Sequence, residues 1–151
     1  MDTYQFPINE IEKFSCFGLT LLLENIFEDK YGFFLYVFQI YKNSHYKKIG
    51  RITLRLGKTE EIYYKGNIGY SITKKHRGKK YSKYACVILI NYLNKKNIEE
   101  IFITTSPKNI ASQKICEGLN GRLLKSIIIP QNYKDKKRCD IKLIYKISTR
   151  M

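Results

Sequence analysis

The sequence has few of the residues that hold small folds together through covalent or metal bonds. It has two histidines and four cysteines, Cys16, Cys86, Cys116 and Cys139, and no two cysteines form a CxxC pair. These spacings do not fit a disulfide framework or a structural zinc site. We therefore expect free thiols, no metal, and one domain over residues 1–151 that is stabilised by a hydrophobic core.

Long apolar runs are missing as well. No run reaches the ~18 residues that a membrane span needs, and residues 1–6 lack the basic and apolar segments of a secretory signal. The sequence thus predicts a cytoplasmic protein with reduced cysteines and no membrane partner. Trp is absent, but 13 Tyr and 8 Phe indicate a substantial content of β-sheet.

Acidic residues are scarce relative to basic ones. The 13 Asp and Glu against 28 Lys and Arg give a formal net charge of +15. A field of this sign favours polyanionic partners such as nucleic acid, an anionic surface or a phosphorylated cofactor. An AT-rich genome would also produce this abundance of Lys, Ile, Asn and Tyr without selection for binding, so net charge leaves both interpretations open.

The order of the predicted elements indicates an α/β fold. A polar turn at 42–46 separates two strands of a β-hairpin, and a further strand runs into a basic loop and a helix. Another strand, a helix that Asn109 can cap, and two final strands follow. The predicted strands cover 32–41, 49–56, 67–73, 98–105, 122–129 and 140–147, and the predicted helices cover 82–97 and about 110–119.

Two of these strands have alternating patterns that predict which face is buried. In the second arm of the hairpin, Ile52, Leu54 and Leu56 alternate with polar residues. In the last strand, Ile141, Leu143 and Tyr145 alternate with a second set that we expect to be the more exposed, namely Lys142, Ile144 and Lys146.

The basic loop at residues 76–82 lies between a predicted strand and a predicted helix. Free backbone N–H groups and the positive end of the helix dipole make such a position an anion site. Gly78 permits close approach of the backbone, Arg77, Lys79 and Lys80 add charge, and Ser82 can cap the helix or donate. The spacing does not match a P-loop. A solvated turn would have the same composition, so the neighbouring motifs must decide.

Those motifs resemble the GNAT superfamily of acyl-CoA N-acyltransferases, in particular small bacterial members. Arg77-Gly78-Lys79-Lys80-Tyr81-Ser82 resembles its pyrophosphate loop, Arg/Gln-x-x-Gly-x-Gly/Ala, with Lys80 in place of the first of those later glycines. Ser106-Pro107-Lys108-Asn109 through Glu117 resembles its Asn-Pro-x-Asn-x-x-Ser block, and residues 66–73 resemble its fourth strand. The resemblance covers roughly 49–147, and residues 1–48 are assigned to the acceptor side.

The resemblance implies a mixed, mostly antiparallel central sheet that splays between its fourth and fifth strands and is flanked by helices. Acetyl-CoA would be the co-substrate, with its pantetheine arm entering at the splay. The residues that would bind it are Ile72, Thr73 and Thr104 at the splay, Asn109 and Ser112 opposite, and Arg77, Gly78, Lys79, Lys80, Tyr81 and Ser82 around the pyrophosphate.

The resemblance also implies direct attack of a neutral primary amine on the thioester in a ternary complex. The candidates for removing the proton of the amine are Glu60 and Glu61, of which Glu61 is the choice, or a water held by Asn67 and Tyr70. Cys116 matches the position where many members have a Tyr that protonates the departing thiolate, although a small core residue would also fit there.

Two other classes of function stay open. A basic RNA- or ribosome-binding module would explain the charge and the interleaved Tyr and Lys, as in Tyr63-Tyr64-Lys65, but not the block around Asn109. A CoA-binding protein without turnover would explain the motifs alone. For the enzyme, the acceptor is an unidentified amine, nucleic acid is not expected, and the chain would be a monomer or a homodimer.

Overall fold

The computed structural model describes residues 13–28, 34–57, 61–129 and 141–150, with the backbone alone at Lys13, Glu61 and Tyr63. Among these residues the chain forms strands and helices in the predicted order, with two additional strands at the start and a short helix before the fifth strand. The elements are β1 (Lys13–Cys16), β2 (Leu19–Glu28), β3 (Phe34–Lys42), β4 (Lys47–Leu56), α1 (Glu61–Lys65), β5 (Ile68–Ile72), a 3₁₀ turn (Lys74–His76), α2 (Tyr81–Lys95), β6 (Glu100–Thr105), α3 (Ile110–Gly118), β7 (Arg122–Ile128) and β8 (Ile141–Ser148).

The strands form two antiparallel sheets, and the predicted α/β class is confirmed. The larger sheet has the order β1-β2-β3-β4-β5, and the smaller one has the order β6-β8-β7. The strand predicted over 67–73 corresponds to β5, and the next predicted strand corresponds to β6. Residues 32, 33 and 140 of the predicted strands, and also Cys139, lie outside the described residues.

The core lies between the larger sheet and α2. Ile52, Leu54 and Leu56 of β4 are at most 5% exposed, which confirms the predicted alternation. On α2, Ala85 and Leu89 are fully buried because they recur at helical spacing on the face that packs against the sheet. Burial of these faces fixes the position of the residues at the N-terminus of α2.

The pattern predicted for the last strand is wrong for Ile144. This residue is completely buried, and its neighbours Tyr145 and Ile147 are at most 5% exposed, whereas Ile141 is 44% exposed. Two consecutive buried residues show that both faces of β8 are covered near its centre, so simple alternation does not apply there.

Candidate active site

The two sheets meet at Asn67, immediately before β5. Its backbone N–H donates to the carbonyl of Phe102 in β6 at 2.7 Å, and its carbonyl accepts from the N–H of Arg55 in β4 at 2.6 Å. Its side chain repeats the link, because Oδ1 accepts from the Phe102 N–H at 2.8 Å and Nδ2 donates to the Arg55 carbonyl at 2.9 Å. Asn67 therefore fastens both sheets together, and we call this point the fork.

Gly66 permits the close approach of the backbones at the fork. Its φ is +72°, and a Cβ here would lie 3.0 Å from the nitrogen of Thr104 and 3.1 Å from the carbonyl oxygen of Phe102. Beyond the fork, no ladder joins β5 to β6 among the described residues. The sheets consequently diverge, and β5 presents an unpaired edge toward the gap.

The register of β5 shows which backbone groups face that edge. The carbonyl of Asn67 and the N–H of Thr73 both bond to β4, the latter to Ile49 at 2.9 Å. Since alternate residues of an antiparallel strand point their N–H and C=O groups to opposite sides, those of Tyr70 and Ile72 point to the open edge. The Ile72 carbonyl accepts from Nε of Arg77 at 2.8 Å.

The basic loop places an uncapped helix N-terminus next to this edge. Lys80 is the N-cap of α2, with a φ of +63°, and its side chain makes no capping hydrogen bond. Ser82 is the second residue of the helix and is therefore not its cap. The first N–H groups of an α-helix have no partner within the helix, and the first turn of α2 contains no acidic residue. Both features favour an anion at this point.

A cleft of about 920 Å³ extends from the open edge of β5 past the loop to α3. It brings together nine of the residues predicted from the sequence, from three segments of the chain. These are Tyr70, Ile72, Arg77, Gly78, Lys80, Tyr81, Ser82, Asn109 and Ser112.

A chain of hydrogen bonds crosses the cleft between the sheet and α3. Asn109 caps α3, as its sequence position predicts, by accepting from the N–H of Ser112 at 3.1 Å. The Ser112 hydroxyl lies 2.6 Å from the Tyr70 hydroxyl. Burial raises the pKa of Tyr70 well above its usual value of 10, despite the opposing effect of the Ser112 hydrogen bond. Tyr70 is therefore a protonated phenol throughout the physiological range and cannot accept the proton of an amine.

Three of the predicted cofactor-binding residues do not line the cleft. Thr73 donates its N–H to Ile49, and its hydroxyl lies 2.8 Å from Nδ1 of His76. The hydroxyl of Thr104 donates to the carbonyl of Tyr64 at 3.3 Å. Lys79 is exposed beside the loop. A contact between any of them and a cofactor stays a prediction.

Among the predicted catalytic residues, Cys116 also lies apart from the cleft lining. Cys116 is completely buried in the core, and burial raises the pKa of its thiol to about 12. Glu61 is the first residue of α1, before the fork, and its side chain is outside the described part of the structure. Tyr70 is a predicted catalytic residue that does line the cleft.

The sequence analysis missed several residues of the site. Lys83, on the first turn of α2, lines the cleft with its ammonium group near Gly118, and Lys114 lines it from α3. The signal for Lys83 was its position three residues after Lys80, which places it on the turn that faces the anion site. The sequence suggests Asn67 only as a ligand for water, because its place at the fork depends on a contact with Phe102.

The described residues contain no cluster of three or more side chains suited to a metal ion. In the same part of the chain, no helix combines the length and the apolar character that crossing a membrane requires.

Comparison with known proteins gives one family and several similar folds. A family model described as an acetyltransferase (GNAT) domain matches residues 12–122. Similar solved structures include the ribosomal-protein-S5-alanine acetyltransferase from Vibrio fischeri, with 17% identity and a TM-score of 0.61 over 77% of this chain and 62% of that chain. They also include an acetyltransferase of the GNAT family from Bacillus anthracis, with 17% identity and a TM-score of 0.62 over 76% of this chain and 67% of that one.

A further similar structure is the microcin C7 self-immunity acetyltransferase in complex with acetyl-CoA and AMP. It has 16% identity and a TM-score of 0.60, over 76% of this chain and 61% of that one. This chain thus spans less than two thirds of the Vibrio fischeri and microcin proteins. At these identities the likeness concerns the fold alone. A search of curated protein sequences gave no match.

Proposed function

Because this chain belongs to the GNAT acetyltransferase family, as the match over residues 12–122 shows, we propose that it transfers an acetyl group from acetyl-CoA to a primary amine. One observation carries the proposal: the unpaired edge of β5 and the uncapped N-terminus of α2 line the same cleft. An extended amide chain that ends in a pyrophosphate matches this combination, since the first feature pairs with amides and the second with phosphate.

The loop would hold the pyrophosphate. The bond between Nε of Arg77 and the Ile72 carbonyl holds the guanidinium beside the open edge, and its terminal nitrogens can donate to an anion. The N–H groups of Tyr81 and Ser82 at the helix start add donors, and Lys80 and Lys83 add charge. Placing a phosphate there neutralises a cluster of cations that otherwise repel one another.

The pantetheine arm would lie along the open edge of β5. The N–H and carbonyl of Tyr70 and the N–H of Ile72 face this edge, so they can pair with the amides of the arm as a neighbouring strand would. An N–H of this set that points at the thioester oxygen would stabilise the negative charge that develops there. Asn109 and Ser112 close the cleft on the other side, where Ser112 is 7% exposed.

The amine would attack from the side of Ser71. Successive side chains of a strand point to opposite faces, so the Ser71 side chain points to the face opposite those of Tyr70 and Ile72, while the residue itself also borders the cleft. On that face Ser71 is directly opposite Arg51, and Arg51 is directly opposite Gln39. The exposed guanidinium of Arg51 favours an acceptor that carries an anionic group near its amine.

Direct attack requires a neutral amine, and a lysine-type amine of pKa ~10.4 is neutral in roughly 0.04% of molecules at pH 7. Tyr70 stays protonated, so it would serve as a donor that positions the thioester. Glu61 remains our proposed base, acting on the amine directly or through water. For Cys116 we favour a core role, because a thiol with a pKa of about 12 is a poor donor to a thiolate of ordinary pKa, ~8.5.

The proposal is tested by titrating the protein with acetyl-CoA and with acetyl-pantetheine, which lacks the nucleotide. Arg77→Ala should weaken acetyl-CoA binding about 10-fold or more, the loss expected for a charge-assisted hydrogen bond, and should leave acetyl-pantetheine binding unchanged. Arg77→Lys keeps the charge but lacks the donor to Ile72, so it should recover only part of the affinity. An equal loss for both ligands would show that the loop does not bind the pyrophosphate.

Turnover is the second arm of the test. Release of CoA should be followed with a panel of primary amines that carry carboxylate, phosphate, neutral or cationic groups. Product formation with at least one amine supports acetyl transfer, and a preference for anionic amines that Arg51→Gln abolishes supports the assigned acceptor side. Tight acetyl-CoA binding with no CoA release across the whole panel would favour a CoA-binding protein without turnover.

A further inference from the structure

A cluster of lysines lies outside the cleft, at the end of the β3–β4 hairpin. Lys42 and Lys47 are directly opposite each other in the ladder, and the hairpin turn at residues 43–46 separates them. Directly opposed like charges destabilise a sheet. Neither lysine belongs to the ion pairs seen among the described residues, so nothing within this part of the structure compensates the repulsion.

A second segment adds to this charge. The N–H of Thr73 bonds to the carbonyl of Ile49, at an irregularity in the β3–β4 ladder, and this bond holds the 3₁₀ turn against the start of β4. Lys75 is consequently close enough to Lys47 for its positive charge to lower the pKa of Lys47. We call the combined area the hairpin surface; its cations are Lys42, Lys47, Lys48, Lys74, Lys75 and Lys79.

The pKa of His76 indicates a positive electrostatic potential at this surface. Local desolvation first, and then the charges of Lys47, Lys75, Lys79 and Lys42, lower its pKa from the usual 6.5. The imidazole is therefore neutral at pH 7, and its Nδ1 interacts with the Thr73 hydroxyl. The structure holds several cations together without a neighbouring carboxylate among the described residues, which is the arrangement that a polyanion stabilises.

An exposed aromatic ring identifies the kind of polyanion. Tyr46, at the end of the turn, is 88% exposed and has a φ of +47°, a conformation that few non-glycine residues adopt. The turn is anchored, because the Asn43 N–H donates to the Gly18 carbonyl at 2.9 Å and the Thr20 hydroxyl donates to Asn43 Oδ1 at 2.6 Å. An exposed ring on an anchored turn among lysines offers stacking for a base and charge for phosphates.

We propose that the hairpin surface binds single-stranded nucleic acid, with its phosphates on the lysines and a base stacked on Tyr46. Free phosphate or an acidic peptide would use the lysines but would leave the ring unused. None of these six lysines lines the cleft, although His76 beside them does, so binding on the lysines is compatible with an occupied cofactor site. The proposal does not depend on acetyl transfer.

Fluorescence anisotropy with a labelled oligouridylate of about 12 nucleotides tests the proposal, since single-strand sites span ~4–16 nucleotides. Lys47→Gln/Lys75→Gln is compared with Lys95→Gln/Lys96→Gln, which removes the same charge at the other end of α2. Each lysine–phosphate contact contributes about 0.7 to the slope of log affinity against log salt. The hairpin variant should therefore lower the slope by about 1.4 and the affinity at about 0.1 M salt roughly 25-fold. The control variant should bind like the original protein.

Substitutions of Tyr46 distinguish binding of nucleic acid from binding of other polyanions. Tyr46→Asn tolerates the positive φ but removes the ring, so it should weaken RNA binding roughly five-fold or more without changing the salt slope. Tyr46→Phe keeps the ring and should bind normally. Polyglutamate serves as the probe without bases, and the original protein should bind it more weakly than RNA.

Three results would overturn the proposal. They are the absence of salt-dependent RNA binding, an equal loss in the hairpin and control variants, and an affinity for polyglutamate equal to that for RNA with no effect of Tyr46→Asn.

A competition experiment tests whether the surface is separate from the cofactor site: the RNA titration is repeated with saturating acetyl-CoA. Retained affinity supports a separate surface, whereas full competition would place the RNA in the cofactor cleft and also contradict the proposal. Acetyl-CoA titrations of the same variants show that the cofactor site is intact.

Discussion

The hydrogen bonds of Asn67 at the fork predict how much stability the protein loses when this residue is replaced. Replacing this residue by Ala removes the side-chain hydrogen bonds to Phe102 at 2.8 Å and Arg55 at 2.9 Å, while both backbone hydrogen bonds of the residue stay possible. A partly buried hydrogen bond contributes about 1 kcal/mol net, so the free energy of unfolding should fall by about 2 kcal/mol. For a domain of this size, that loss lowers Tm by about 4–8 °C.

The same change should also affect the cofactor site, because Asn67 sets where β5 leaves β6. Chemical denaturation measures the stability, and calorimetry measures acetyl-CoA binding. Asn94→Ala is the matched control, since it removes one longer bond, 3.3 Å to Thr149, away from the fork. The control should lose less than about 1 kcal/mol and keep its affinity. If Asn67→Ala is no less stable than the control and binds acetyl-CoA normally, the fork does not hold the cleft.

Three further substitutions test individual residues. Lys80→Gly relieves the left-handed backbone at φ +63°, so it should raise the free energy of unfolding by about 0.5–1 kcal/mol, measured by denaturation. The lost charge should weaken acetyl-CoA binding, measured by calorimetry. Tyr70→Phe should lower kcat at least roughly ten-fold with little change in KM, and an unchanged kcat would exclude a role for the hydroxyl. Cys116→Ala should cost about 1–2 kcal/mol of stability and leave kcat unchanged, whereas lost turnover in a folded variant would restore the thiol as the proton donor.

The features that the sequence predicted well are those with local signals. The hairpin, the alternation of Ile52 and Leu54, and the Asn109 cap each depend on residues a few positions apart, and all three are confirmed. Burial of Ile144 could not be predicted in this way, because it depends on elements that cover both faces of β8. Short α1 also carries no pattern long enough to reveal it.

In the candidate site as well, features with local sequence signals were predictable and features that depend on distant contacts were not. The loop was recognisable from its charge and its place between strand and helix, and the structure places most of its predicted residues in one cleft. Lys80 replaces a glycine of the pyrophosphate-loop motif. It nevertheless adopts a positive φ, a conformation that is common for glycine. The fork was not predictable, because the bond from Asn67 to Phe102 joins residues 35 positions apart.

The unpaired edge of β5 has a consequence for the lifetime of the protein. An exposed strand edge is a template on which another chain can pair, and it therefore promotes aggregation. A ligand that occupies this edge would protect it and would also shift the folding equilibrium, by about 2.7 kcal/mol when its free concentration is about 100 times Kd. The proposed co-substrate would then act as a chaperone for its own enzyme, and cells short of acetyl-CoA would contain less of the folded protein.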